Sequence, residues 1–118
     1  MKHFLFIILV TIALLIVGCG SKESPELDAF AKCLGENGAK MYGTFWCPHC
    51  KDQKDALGNS ENIPYIECSL PSGNGQTQIC KNAGIEGYPT WEFADGSRKS
   101  GNQALEYLAS KTGCDLPN

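Results

Sequence analysis

The first 17 residues and the rest of the chain follow two different rules of hydrophobic order. From Phe4 to Val17 only Thr11 interrupts a run of 14 residues that is otherwise apolar. That length fits the core of a secretory signal and falls short of the roughly 20 residues a membrane-crossing helix needs. Residues 1–18 are therefore expected to be a signal peptide, an uncleaved anchor that stretches to Cys19 being the alternative. Residues 20–25, GSKESP, are small and polar and read as a short tether between membrane and folded part.

Beyond the tether the apolar positions turn periodic. Leu27, Phe30, Ala31 and Leu34 recur at helical spacing, with Glu26 and Asp28 at the start and Gly35 and Gly38 at the end. Residues 39–45, AKMYGTF, predict a strand, and HCKDQKDALG after Pro48 predicts a helix stopped by Gly58 and Asn59. A second strand is expected over residues 63–69, carrying Ile63, Tyr65 and Ile66. The loop PSGNG and a short helix ending at Gly84 follow it. Residues 88–93 alternate like a strand, ADGS signals a turn, and residues 98–100 supply the other arm of a hairpin. Residues 102–111 close the pattern as a helix with Leu105 and Leu108 inward and Gly113 as its stop. Crossovers of the β-α-β kind followed by a hairpin and a last helix imply an α/β domain, with a mixed central sheet and helices on both faces.

Composition narrows this further. A chain of 118 residues, 42% hydrophobic and 9% aromatic, can bury one modest core, assigned to residues 26–118. Thirteen acids against ten bases give a net charge of -3 with no basic block, which argues against nucleic acid as a partner. Seven cysteines point to an oxidising compartment unless they hold metal. Cleavage after residue 18 would remove Lys2 and His3, leaving His49 as the only histidine.

That histidine lies inside FWCPHCK, residues 45–51. Cys47 falls where a strand gives way to a helix, so unpaired backbone N–H groups and the positive end of the helix dipole favour its thiolate. In such settings a cysteine pKa drops from about 8.5 to roughly 3.5–7.5, and a charged His49 would add to the effect. Pro48 fits the first helical position, where its missing N–H costs nothing. Cys50, three residues on, shares a helix face with Cys47 at a separation of about 5–6 Å that suits a disulfide. A C-x-x-C pair is also half of many zinc sites, but a closed site needs four protein ligands. The mature chain has no second C-x-x-C and no second histidine. The expectation is a redox pair with no metal and no cofactor, a copper or zinc metallochaperone being the alternative.

Two resemblances add to this reading. LIVGCG, ending at residue 20, resembles the lipobox of bacterial lipoproteins, which implies a lipid on Cys19 and six cysteines left over. GAKMYGTFWCPHC, YIECS and AGIEGYPTW, spread over about residues 29–109, resemble the thioredoxin-like domain fused to bacterial homologues of vitamin K epoxide reductase. CPHC is also similar to the motif of the periplasmic Dsb oxidases.

These resemblances imply a thioredoxin-like fold, a cis-proline at Pro89 facing the active cysteines, and a structural disulfide between Cys68 and Cys80. They also imply an extracytoplasmic enzyme, anchored through its lipid, that exchanges disulfides between exported protein thiols and a quinone-linked membrane protein. The fused multi-span domain is missing from this sequence, so that partner is expected to be a separate protein. Met41 stands where thioredoxin-type domains keep a buried acid six residues before the first cysteine, which leaves the acceptor of the Cys50 proton open. Cys33 and Cys114 pair by elimination or stand as two buried thiols. A thiolate-stabilising site predicts a potential on the oxidising side of about -220 mV, although a reductase fed by a membrane partner fits the same residues.

Overall fold

The computed structural model describes residues 24–118. The expected signal peptide, the lipid on Cys19 and tether residues 20–23 lie outside the described residues. Eight elements follow one another in the order α-β-α-β-α-β-β-α. They are α1 (Pro25–Glu36), β1 (Lys40–Gly43), α2 (Pro48–Ala56), β2 (Tyr65–Glu67), α3 (Gln78–Ala83), β3 (Thr90–Glu92), β4 (Arg98–Ser100) and α4 (Leu105–Thr112). Among the described residues no helix is long and apolar enough to cross a membrane.

Local chemistry sets several boundaries. The sequence extends the tether to residue 25, yet Ser24 and Pro25 begin α1. The Ser24 hydroxyl accepts a hydrogen bond from the Leu27 N–H at 3.3 Å, and Pro25 takes the first helical position. The strands are shorter than their apolar runs. Pro64 and Pro89 carry no N–H to extend a ladder, so β2 and β3 begin just after them. Residues 102–104 are not helical, because the N–H and C=O of Gln103 are both held by the Gln53 side chain, at 2.7 and 3.1 Å. Gly84 ends α3 at φ 68°, a left-handed conformation open to glycine.

The sheet order is β2-β1-β3-β4, with β1 and β2 parallel and the other pairs antiparallel. Alternation along β1 divides the core. Met41 looks to one face, where it meets Trp91, Phe30 and Leu34 of α1, Cys50 of α2, Leu57 and Leu108 of α4. Tyr42 looks to the other, against Cys80 of α3, Cys68 and Ile85, with Ile66 beside them. Fully burying each large apolar side chain stabilises the fold by about 1.5–3 kcal/mol, so both faces need their helices. This is a thioredoxin-like arrangement, a mixed sheet covered on both sides.

Two disulfides fasten the layers. Cys68–Cys80 links the end of β2 to α3, and Cys33–Cys114 links α1 to the segment after α4, closing the choice between a bond and two free thiols. In the chain-entropy model these loops, of 12 and 81 residues, contribute about 3 and about 4.5 kcal/mol. Cys47 and Cys50 are buried free thiols.

Candidate active site

The turn after β1 delivers the two free cysteines. Gly43 ends the strand, the Cys47 N–H closes a turn onto the Thr44 carbonyl at 3.3 Å, and α2 starts at Pro48 with Cys47 as its N-cap. No side chain caps this helix, so N–H groups of its first turn remain available beside the Cys47 sulfur. Pro48 and His49 are exposed on that first turn. The Tyr88–Pro89 peptide is cis, Pro89 is fully buried, and the Cys47 thiol points at the Tyr88 carbonyl oxygen, 3.7 Å away. The structure thus brings Cys47, Cys50 and the Pro89 loop together, with Pro48 and His49 on the outer side. The Cys33–Cys114 bond lies elsewhere, between α1 and the chain's last residues.

The two thiols are unlike. Cys47 keeps 7% of its surface exposed and Cys50 none. Burial pushes the Cys50 thiol up to about 12; a backbone hydrogen bond with Thr44 and the charge of Lys54 pull the other way, while neighbouring Cys47 adds to the rise. Cys50 is held there by close packing. A Cβ on Gly43 would stand 2.9 Å from the Cys50 sulfur and 2.9 Å from Cε2 of Tyr65, so only glycine lets α2 and β2 approach this closely.

Around Cys47 lies an aromatic shelf. Phe45 and Trp46 are 57% and 52% exposed, and Trp46 meets Tyr88 edge-on with ring centroids 6.0 Å apart. The loop closed by Cys68–Cys80 props both sides of the site. Ser69 accepts the Trp46 indole N–H at 3.1 Å, while the Gln76 amide donates to the Tyr88 hydroxyl at 2.9 Å and to the Ile85 carbonyl at 2.8 Å. Gly73 in the same loop comes close to both Phe45 and Trp46.

Behind the site, Gln53 locks α2 in place. It is fully buried, accepts from the Trp91 indole N–H at 3.0 Å and from the Gln103 N–H at 2.7 Å, and donates back to the Gln103 carbonyl. Sequence reasoning passed over Gly43, Gln53, Ser69 and Gln76. Only Gly43 carried a readable signal, a glycine inside a predicted strand. Among the described residues no three His, Cys, Asp or Glu side chains stand together as a metal site would require.

No family model matches the chain. Among curated proteins it is similar to the thiol-disulfide oxidoreductase LTO1 of Arabidopsis thaliana, 42% identical over 101 residues that make up 81% of this chain and 27% of that protein. It is also similar to a protein disulfide-isomerase of Aspergillus niger, 27% identical over 81 residues, 62% of this chain and 15% of that one. The chain therefore spans about a quarter or less of the length of these relatives.

Proposed function

We propose that the chain is a thiol-disulfide oxidoreductase acting on protein substrates. Cys47 forms the mixed disulfide and Cys50 resolves it. The observation that carries this reading is the unequal pair: one thiol at the mouth of the site, at a helix N-terminus and against the cis-proline loop, and a second thiol sealed behind it within one helical turn. An inert staple has no use for such an asymmetry. In an exchange centre it assigns attack to the outer sulfur and resolution to the inner one. The shelf of Phe45 and Trp46 gives an incoming polypeptide apolar surface beside the reacting sulfur. The likeness to two relatives named for disulfide chemistry supports the same reading.

In the fuller form of this proposal the enzyme works outside the cytoplasm. It is tethered by a lipid on Cys19, oxidises the thiols of exported proteins, and returns its electrons to a quinone-linked membrane protein. The apolar N-terminal run, LIVGCG and the cysteine density support that setting.

Replacing Cys50 tests the assignment. Cys50→Ala is expected to accumulate a mixed disulfide through Cys47 when the protein meets a substrate disulfide, seen on non-reducing gels and mapped by mass spectrometry. Cys47→Ala should trap nothing. Trapping through another cysteine would refute these roles.

A further inference from the structure

If Cys50 resolves the mixed disulfide, as the proposed function requires, it must lose a proton in a place water does not reach. Its sulfur is fully buried, and His49 is exposed on the far side of the turn. The charged and titratable groups that face it are few. They are Cys47 at the N-cap of α2, Lys54 on α2 and Tyr65 on β2, with Glu67 reached through the tyrosine hydroxyl.

The register of the sheet explains why β2 faces Cys50. In the parallel pair β1–β2, Met41 lies beside Tyr65 and Gly43 beside Glu67, so both β2 side chains rise on the face that carries α2. The missing Cβ of Gly43 leaves a gap bounded by the Cys50 sulfur on one side and the Tyr65 ring edge on the other, each 2.9 Å from the vacant position. The Tyr65 hydroxyl donates to the Glu67 carboxylate at 3.1 Å. The Lys54 ammonium lies 3.6 Å from the centre of the Tyr65 ring, pinning it from the α2 side. Beyond the ring, Lys54, Ile63 and Tyr65 help line an open recess of about 360 Å³, through which the group can exchange protons with water.

We propose that Tyr65 and Glu67 form the proton-transfer pair for Cys50, with Lys54 positioning the tyrosine. As Cys50 attacks, its S–H proton passes to the Tyr65 oxygen while the Tyr65 O–H proton passes to the Glu67 carboxylate. In the same step the Cys50 sulfur attacks the Cys47 sulfur. The Cys47–Cys50 bond forms, the bond from Cys47 to the substrate sulfur breaks, and the substrate leaves as a thiolate. The two electrons lost by the cysteine pair reduce the substrate disulfide. In the oxidising direction the step reverses: Cys50 departs and recovers its proton from the same pair. Burial, with the charge of Glu67, holds the Tyr65 phenol above its ordinary value, so the tyrosine stays protonated and relays rather than stores the proton.

The test uses the full-length protein in detergent, reduced at Cys47 and Cys50 and mixed with oxidised glutathione, with acid-quenched samples read by intact mass. The readouts are the rate at which the glutathione mixed disulfide forms at Cys47 and the rate at which it resolves. Tyr65→Phe and Glu67→Gln are each expected to slow resolution at pH 7 by about 100-fold, the lower range for proton-transfer catalysis, with formation unchanged. The deficit should shrink as pH approaches 12, where the Cys50 thiol ionises without the pair. Glu67→Gln keeps the shape and an acceptor oxygen but cannot take a proton, so it carries the test alone if Tyr65→Phe does not fold. Resolution at the wild-type rate in Glu67→Gln would overturn the proposal, as would a slowing that is equal at every pH. A wild-type protein that forms no mixed disulfide at Cys47 would instead overturn the exchange reading, and this relay with it.

Discussion

Cys47 and Cys50 are separated by two residues, yet only Cys47 keeps any surface open to a reagent. With Cys50 fully buried and its thiol pushed up from 9.0 to about 12, almost none of it is thiolate near neutrality. Iodoacetamide at pH 8 is therefore expected to label Cys47 and leave Cys50 unlabelled, with Cys50 labelling rising only as pH approaches 12; equal labelling at pH 8 would contradict the asymmetry. The sign carries over to stability. Between about pH 9 and 12 the unfolded chain has released the Cys50 proton and the folded protein has not, so rising pH favours unfolding across that window. The urea midpoint of the protein reduced at this pair should fall over the window more steeply than that of Cys50→Ala. Cys47, Pro48 and Cys50 stood out because their place at a helix start follows from local spacing. The residues that tune Cys50 did not. Tyr65 and Glu67 look like ordinary strand residues until the β1–β2 register places them across from Gly43, and a glutamine at position 53 reads as solvated helix surface until Trp91 and Gln103 close over it.

At the scale of elements, the order of helices and strands followed from hydrophobic period and glycine stops, while their ends were decided by partners distant in sequence. Residues 102–104 look helical in isolation and are drawn out of the helix by Gln53, 50 positions earlier. The same kind of long-range contact gives the loop between β2 and α3 its role. Cys68–Cys80 holds it, the Ser69–Gln76 bridge narrows it, and Ser69 and Gln76 reach the two aromatic residues that flank Cys47. Gln76→Ala removes the bonds to the Tyr88 hydroxyl and the Ile85 carbonyl. It should cost about 1 kcal/mol of stability, the net worth of a typical hydrogen bond. Its larger expected effect is on the Tyr88 carbonyl that faces the Cys47 thiol. The rate of mixed-disulfide formation at Cys47 should fall several-fold in stopped-flow measurements while the unfolding midpoint moves little. An unchanged rate would mean that the loop supports the fold without aligning the site.

For the whole molecule, the tether and the potential of the active pair decide what work it does. A lipid on Cys19 predicts an intact mass, after extraction from membranes, equal to residues 19–118 plus the acyl groups; the mass of the unprocessed chain would refute it. The potential follows from how well the reduced state is held. A potential rises when reduced sulfur is stabilised relative to the disulfide, and Cys47 caps a helix whose first-turn N–H groups no side chain occupies. The opposing influence is Cys50, whose burial gives the reduced pair nothing from a second charged sulfur. First-turn N–H groups left open beside Cys47 favour the reduced pair. The expected value is on the oxidising side of about -220 mV, between the strong periplasmic oxidant near -120 mV and thioredoxin near -270 mV. His49 is exposed on the first turn, so solvent screens its contribution, and His49→Ala should lower the potential only slightly. Equilibration against glutathione redox buffers, with the Cys47–Cys50 disulfide followed by mass, measures both. A value below about -250 mV would make the protein a reductant that needs electrons supplied to it, and would reverse the proposed direction of exchange while leaving the roles of Cys47 and Cys50 intact.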